Sequence, residues 1–190
     1  MNTKTLATVA TRRADTSIFL RIAILALASA LLAASAYMQV PAWPVKISMQ
    51  TAVVFAIGIA LGSRMAVAAV LLYIAEGVMG LPVFQNGSAG PLYLLGPTGG
   101  YLLGFVLAAY FVGRAAETGL MSTFGRSVLV LVAANVILYV PGVAWLAVLI
   151  GADKALAAGV LPFLLGDALK ILLVASLVTV GILPSTKSVR

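Results

Sequence analysis

The chain has 190 residues, of which 63% are hydrophobic and only 9% are charged, with a formal net charge of +7. A soluble domain carries roughly 25% charged residues, so this composition predicts an integral membrane protein. The sequence contains no cysteine and no histidine, which excludes disulfides, thiolate metal sites and an imidazole general base. We therefore expect no metal, no cofactor and no catalytic residues.

Six apolar stretches predict an all-α polytopic protein with six transmembrane helices. The predicted spans cover residues 17–38, 47–62, 65–80, 96–112, 127–150 and 161–183. The connections include the Pro-punctuated "VPAWPVKISMQ", the short turn "GSR", the long "LPVFQNGSAGPLYLL" and an outer loop around Asp153, and "YVPGVAW" is a candidate interruption of the fifth span. We expect a tail at 1–16, one six-helix domain at 17–184 and a second tail at 185–190.

The distribution of lysine and arginine predicts the orientation, because short basic loops stay on the cytoplasmic side. The three loops on the other side carry only Lys46 and Lys154 between them. With six spans, the basic side collects Lys4, Arg12, Arg13, Arg21, Arg64, Arg114, Arg126, Lys187 and Arg190. Both termini are therefore expected in the cytoplasm, as in a bacterial inner membrane. Topology explains the basic charge, and no nucleic-acid partner is expected.

The segment "GPTGGYLLGF", residues 96–105, concentrates four glycines and a proline. The segment lacks the Gly-Lys-Ser/Thr ending of a Walker loop, and no predicted strand precedes it. A phosphate-binding loop is therefore not favoured. Gly96, Gly100 and Gly104 recur every four residues, which predicts a small face where another backbone or a ligand approaches closely. Pro97 suits the first helical turn. Spacing alone leaves helix packing and ligand binding both open.

Ala26, Ala30 and Ala34 form a similar small-residue stripe in the first span. Such a stripe serves either as a packing seam inside the protein or as the contact surface for an external helix. Both interpretations stay open on spacing alone.

Two ionisable residues, Asp167 and Lys170, lie inside the apolar run "LPFLLGDALKILLV". Charges in a span are costly and usually face a cavity or a partner, and a spacing of three places both on one helical face. The pair either fixes helix register or presents an acceptor and a donor to a ligand. Glu76 is a third candidate, or an acid that snorkels to the interface. Polar candidates near the same outer end are Gln85, Asn86, Ser88, Tyr93, Thr98 and Tyr101.

Taken together, "GLPVF" at 80–84, "GPTGGYLLGF" at 96–105 and "GVLPFLLGDALK" at 159–170 closely resemble the biotin transporter BioY family. The resemblance covers nearly the whole chain. It implies the S-component fold and the role of a biotin-binding S component in an energy-coupling-factor transporter, with a transmembrane coupling protein and ATPase subunits as partners. Biotin would be taken up from outside across the cell membrane, with lipid around the protein.

The resemblance also assigns roles to individual residues. Asp167 and Lys170 match the family's acid-x-x-lysine pair in the biotin site, and Tyr101 with Gly100 matches the fourth-helix motif. The alanine stripe resembles the surface through which S components contact the coupling protein. The remaining ligand-binding candidates from outer segments are Gln50 with its neighbour Thr51, Asn86, Tyr93 and Trp145.

Four other functions compete with biotin uptake through a coupling module. An S component for another small vitamin and a solitary biotin transporter acting as a homo-oligomer share the fold. An intramembrane enzyme would need a serine close to Lys170, but Ser176 is six residues away. A scaffold would have no reason to bury an Asp–Lys pair beneath polar loops.

Overall fold

The computed structural model describes residues 3–40 and 47–183. In this part of the chain, six helices account for most of the structure. They are α1 (Thr3–Tyr37), α2 (Gln50–Val78), α3 (Gly99–Thr118), α4 (Phe124–Ile150), α5 (Ala152–Gly159) and α6 (Leu164–Thr179). The predicted all-α fold is confirmed. The side chains of residues 1–17 and the tail at 185–190 lie outside the described part.

Helix α2 contains a sharp reversal at Gly62. The backbone there has φ 75° and ψ 172°, a conformation that glycine adopts without the steric cost of a Cβ. A hydrogen bond of 2.8 Å between Gln50 and Tyr73 shows that the two halves lie side by side, because 23 residues of straight helix would separate them by about 35 Å. The turn predicted at "GSR" is therefore present, and α2 supplies two antiparallel segments.

Five stretches of the described chain are long and apolar enough to cross a bilayer. The reversal at Gly62 divides one of them, so the fold has six membrane segments in the predicted order. The first half of α2, residues 50–61, rises only about 18 Å, which is short against a hydrocarbon core of about 30 Å. Large apolar side chains such as Leu129 and Val148 cover the outer surface, as expected for helices that face lipid.

Polar connections gather at the end of the bundle where α2 begins. Two short antiparallel strands, β1 (Gln39–Val40) and β2 (Ile47–Ser48), lie between α1 and α2. The predicted Pro-rich segment between them, with Lys46, lies at 41–46 outside the described residues. Two 3-10 turns, Gln85–Gly87 and Pro91–Leu95, shape the long connection from α2 to α3. The Tyr37 hydroxyl donates to the Pro82 carbonyl and ties this connection to α1.

Several predicted boundaries need correction. Helix α3 begins at Gly99, so Pro97 lies in the preceding turn and not in the first helical turn. Helix α4 continues through Pro141 to Ile150 without interruption. The region around Asp153, expected as a loop, forms the short helix α5. Prolines in lipid-facing helices are tolerated because neighbouring groups satisfy the freed carbonyl.

The opposite end of the bundle carries the described basic residues of the predicted cytoplasmic side. Glu117, near the end of α3, accepts hydrogen bonds from the Ser63 backbone N–H at 2.8 Å and hydroxyl at 2.9 Å. It also pairs with Arg114 at 2.8 Å. The carboxylate thus joins the α2 reversal to the end of α3, which places Arg64 and Arg114 at one end of the molecule.

The alanine stripe of α1 is exposed along its whole length. Ala26, Ala30 and Ala34 all face outward, whereas Ala28 and Leu32 are buried against the rest of the bundle. The interpretation of the stripe as an internal packing seam is therefore wrong.

Candidate functional site

Asp167 and Lys170 form a buried ion pair in the first two turns of α6. Lys170 Nζ donates to Asp167 Oδ1 at 2.9 Å. The two residues are only 5% and 6% exposed, and both line a cavity at the end of the bundle that carries the polar connections. The spacing of three produces this contact because residues i and i+3 are neighbours on a helix surface. Each charge supplies the partner that the other needs in an apolar environment.

Helix α4 contributes two further donors to the Asp167 carboxylate. Asn135 Nδ2 donates to Oδ2 at 3.0 Å, and the Tyr139 hydroxyl donates to the same oxygen. Both carboxylate oxygens therefore have protein partners. The polar end of the cavity is built jointly by α4 and α6.

Tyr101 of α3 lies at the centre of an aromatic group in this cavity. Its ring centroid is 6.4 Å from that of Tyr139 and 6.5 Å from that of Phe163. Its hydroxyl donates to the Gly159 carbonyl at 2.8 Å, which fixes the ring between α4 and α5. Such rings present apolar faces for packing against a ligand ring.

A second polar group lines the cavity where α2 begins. Gln50 Nε2 donates to the Tyr73 hydroxyl, and Gln50 Oε1 accepts from Ser48 at 3.1 Å and from Gln85 at 3.4 Å. Tyr73 in turn donates to the Val83 carbonyl at 3.2 Å. These bonds connect both halves of α2 to the long connection before α3.

Tyr93, in the same connection, stacks on Phe84 with ring centroids 4.4 Å apart. Burial raises the pKa of the Tyr93 phenol above its usual value of 10.0. The hydroxyl therefore stays protonated at neutral pH.

The cavity is lined by two polar groups and by aromatic side chains, and it has a volume of about 40 Å³. Small-molecule sites usually measure about 300 Å³ or more, so a ligand of vitamin size requires the lining to move outward. Part of the lining, including Gln85, Tyr93 and Thr98, belongs to the connection before α3. The other lining residues are Ser48, Gln50, Thr51, Tyr73, Tyr101, Leu102, Phe105, Leu138, Tyr139, Phe163, Asp167 and Lys170.

Three of the ligand-binding candidates do not line this cavity. Asn86 is exposed and accepts a hydrogen bond from Gln39 Nε2. Gly100 packs against α4, where a Cβ would lie 2.5 Å from the Cβ of Trp145. Trp145 donates to the Gly96 carbonyl at 2.9 Å. The glycines of α3 therefore serve close helix packing, which in turn holds the neighbouring Tyr101 in the cavity wall.

Glu76 belongs to the second half of α2 and lies apart from the cavity, on the side that faces α1. It accepts a hydrogen bond from Ser29 Oγ of α1, and Ser29 is fully buried. The structure therefore places this acid at a helix contact. Within the described residues, no group of acidic side chains is arranged to hold a metal ion.

Sequence reasoning missed Asn135, Tyr139 and Tyr73 as parts of the site. Asn135 could have been identified from the sequence, because it is the only amide in the apolar run of α4. Polar residues inside a membrane span usually face a cavity or a partner. Tyr139 follows it by four residues and shares its face. Tyr73 offered no comparable signal, since its role depends on the fold-back of α2.

Comparison with known proteins points to one family. The chain is 37% identical to the biotin transporter BioY of Thermotoga maritima over 148 residues, covering 77% of this chain and 86% of that protein. It is 34% identical to the probable biotin transporter BioY of Pyrococcus horikoshii over 151 residues, covering 78% of this chain and 88% of that protein.

The fold also has a counterpart among solved structures. The crystal structure of the S-component for biotin from an ECF-type ABC transporter superposes with a TM-score of 0.75 at 24% identity. The match covers 86% of this chain and 91% of that chain. The model of the BioY family matches residues 3–187, nearly the whole sequence. The chain therefore belongs to the BioY family.

Proposed function

We propose that this protein is a biotin-binding S component of an energy-coupling-factor transporter, which takes up biotin from outside and delivers it to the cytoplasm. The observation that carries the proposal is the buried Asp167–Lys170 pair at the cavity wall. Membership of a family whose curated relatives are named biotin transporters supports the choice of ligand.

The chemistry of the cavity fits the parts of biotin. The ureido group is both a donor and an acceptor, so it matches a wall with an ammonium group and a carboxylate. The apolar thioether ring fits between aromatic side chains such as Tyr101 and Phe163. The valerate carboxylate then extends toward the wall at Gln50, whose amide has two N–H donors and uses one of them on Tyr73. Buried groups left unpaired by other vitamins would provide the selectivity.

Entry of biotin requires the cavity to enlarge, and the connection at 79–98 is the segment whose movement would do this. It contributes three lining residues and contains positive-φ glycines at Gly80, Gly87 and Gly90. Such glycines allow a chain to change direction at low steric cost. This connection would therefore open outward to admit the ligand.

Transport requires partners, and the exposed face of α1 suits a helical one. A stripe of small residues lets two helices approach closely within a membrane, and Ala26, Ala30 and Ala34 present such a stripe on the outside of the bundle. We assign it to a transmembrane coupling protein, which would connect this chain to ATPase subunits. The chain itself is not an enzyme in this proposal, and both termini lie in the cytoplasm.

Equilibrium binding of labelled biotin to the purified protein tests the proposal directly. We expect saturable binding that excess unlabelled biotin displaces and that thiamine and riboflavin do not. Displacement by thiamine or riboflavin would assign the cavity to another vitamin. Absence of biotin binding by a folded preparation would refute the proposed function.

A further inference from the structure

We infer that Asn135 and Tyr139 of α4 are positioning residues, which hold the Asp167 carboxylate in the orientation that presents Lys170 to the ligand. The inference rests on the proposed function. Both side chains lie on one face of α4, because they are separated by four residues. Both donate to the same oxygen, Asp167 Oδ2.

The two oxygens of Asp167 have different partners, and this division fixes the side chain. Oδ2 faces the two donors of α4, and Oδ1 accepts from Lys170 Nζ at 2.9 Å. A carboxylate with donors on both oxygens, supplied by two different helices, cannot rotate without breaking charge-assisted hydrogen bonds. The ammonium group of Lys170 is therefore positioned from α4 through Asp167.

The unpaired side-chain carbonyl of Asn135 indicates that the residue is present for its hydrogen bond to Asp167. Among the described residues, Asn135 Oδ1 is one of two buried side-chain atoms without a hydrogen-bond partner, and the residue is only 7% exposed. Burying an unpaired carbonyl is unfavourable, and leucine would fill a similar volume without this cost. Asn135 Nδ2 donates to Asp167 Oδ2 at 3.0 Å, and this bond accounts for an amide at this position.

This arrangement determines what the ligand meets at the polar end of the cavity. A carboxylate has about four acceptor positions and an ammonium group has three N–H donors. Protein donors occupy three positions of Asp167, and one Lys170 donor is used on Asp167. The site therefore offers mainly donors from Lys170 and a single remaining acceptor position. The site therefore selects a ligand that has a carbonyl oxygen with one N–H group beside it. The α4 donors prevent Asp167 from accepting more than this one N–H group.

A double-mutant cycle on the purified full-length protein tests this inference. The variants are Tyr139→Phe and Asn135→Leu, each made alone and together with Asp167→Asn, and the readout is the Kd for biotin. We expect each single variant to weaken binding by about fivefold or more and to have less than about a twofold effect in the Asp167→Asn background. Such coupling would not arise if the two residues only supported the general fold.

The matched control is Tyr110→Phe, which removes the same hydroxyl from an exposed position of α3 and should leave the Kd unchanged. Melting temperatures without biotin show whether each variant is folded. If Tyr139→Phe and Asn135→Leu both bind as tightly as the unaltered protein, the inference is refuted. Equal losses in both backgrounds also refute it, because they show no action through Asp167. If the unaltered protein binds no biotin, the proposed function fails first and the inference fails with it.

Discussion

Gln50 Nε2 donates a hydrogen bond to the Tyr73 hydroxyl across 2.8 Å, although 23 residues separate the two in the chain. Both residues are buried, and both line the cavity. The bond joins the two halves of α2 at the end of the hairpin opposite their reversal at Gly62. The same contact thus closes the α2 hairpin and builds one polar wall of the candidate site.

Replacement of Tyr73 by phenylalanine should destabilise this wall. The change leaves Gln50 Nε2 buried without an acceptor, which costs about 1–3 kcal/mol. We expect a lower melting temperature and weaker biotin binding, measured by thermal unfolding in detergent and by equilibrium binding. Tyr110→Phe, at an exposed site, serves as the control and should match the unaltered protein. Unchanged stability and affinity in Tyr73→Phe would show that the Gln50 contact contributes to neither.

Asp167→Asn should weaken biotin binding by about tenfold or more. The variant keeps the size of the side chain but leaves Lys170 as a buried cation without its counter-charge. Lys170→Met should have a comparable effect, because it leaves the carboxylate uncompensated. Titration with labelled biotin measures both. Full affinity in two well-folded variants would contradict the assignment of the ion pair to the binding site.

Gly100→Leu should destabilise the protein and reduce binding together. A Cβ at this position would lie 2.5 Å from the Cβ of Trp145 and 3.1 Å from the Cα of Gly142, so α3 and α4 would have to separate. Gly125→Ala is the matched control, because a Cβ there has no neighbour within 4 Å. Melting temperature and biotin affinity are the measurements. Normal behaviour of Gly100→Leu would show that close α3–α4 packing is unnecessary.

Ala30→Trp should leave biotin binding in detergent nearly intact and abolish uptake. The side chain is exposed on α1, so the fold tolerates bulk there, whereas a closely approaching partner helix does not. Co-purification with the coupling protein and biotin uptake by cells measure the effect. Leu129 is also exposed, so Leu129→Trp should retain both biotin uptake and co-purification with the coupling protein. Ala28→Trp, at a buried position of α1, should instead disrupt the fold.

The retention of uptake and co-purification by Ala30→Trp would contradict the assignment of the alanine stripe to the coupling protein. It would leave the biotin site unaffected, because the stripe and the cavity are separate. A loss of uptake in Leu129→Trp as well would indicate a general effect of added bulk.

The sequence by itself determined the class of protein and the order of its apolar helices along the chain. Apolar length defines a span because the hydrocarbon core has a fixed thickness, and this rule located the helices even where their ends needed correction, as at Pro97. The Asp167–Lys170 contact was also predictable, because the spacing of three is local and α-helical geometry brings such residues together.

Only the tertiary structure decided which residues share the cavity. Tyr73 meets Gln50 because Gly62 reverses the chain, and Asn135 meets Asp167 because α4 packs against α6. Both contacts depend on how helices distant in sequence are arranged. The same reason explains the alanine stripe, whose spacing was compatible with an inner or an outer face. The packing of Ala28 and Leu32 against the bundle turned Ala30 outward, because opposite faces of one helix cannot both be buried by the same neighbours.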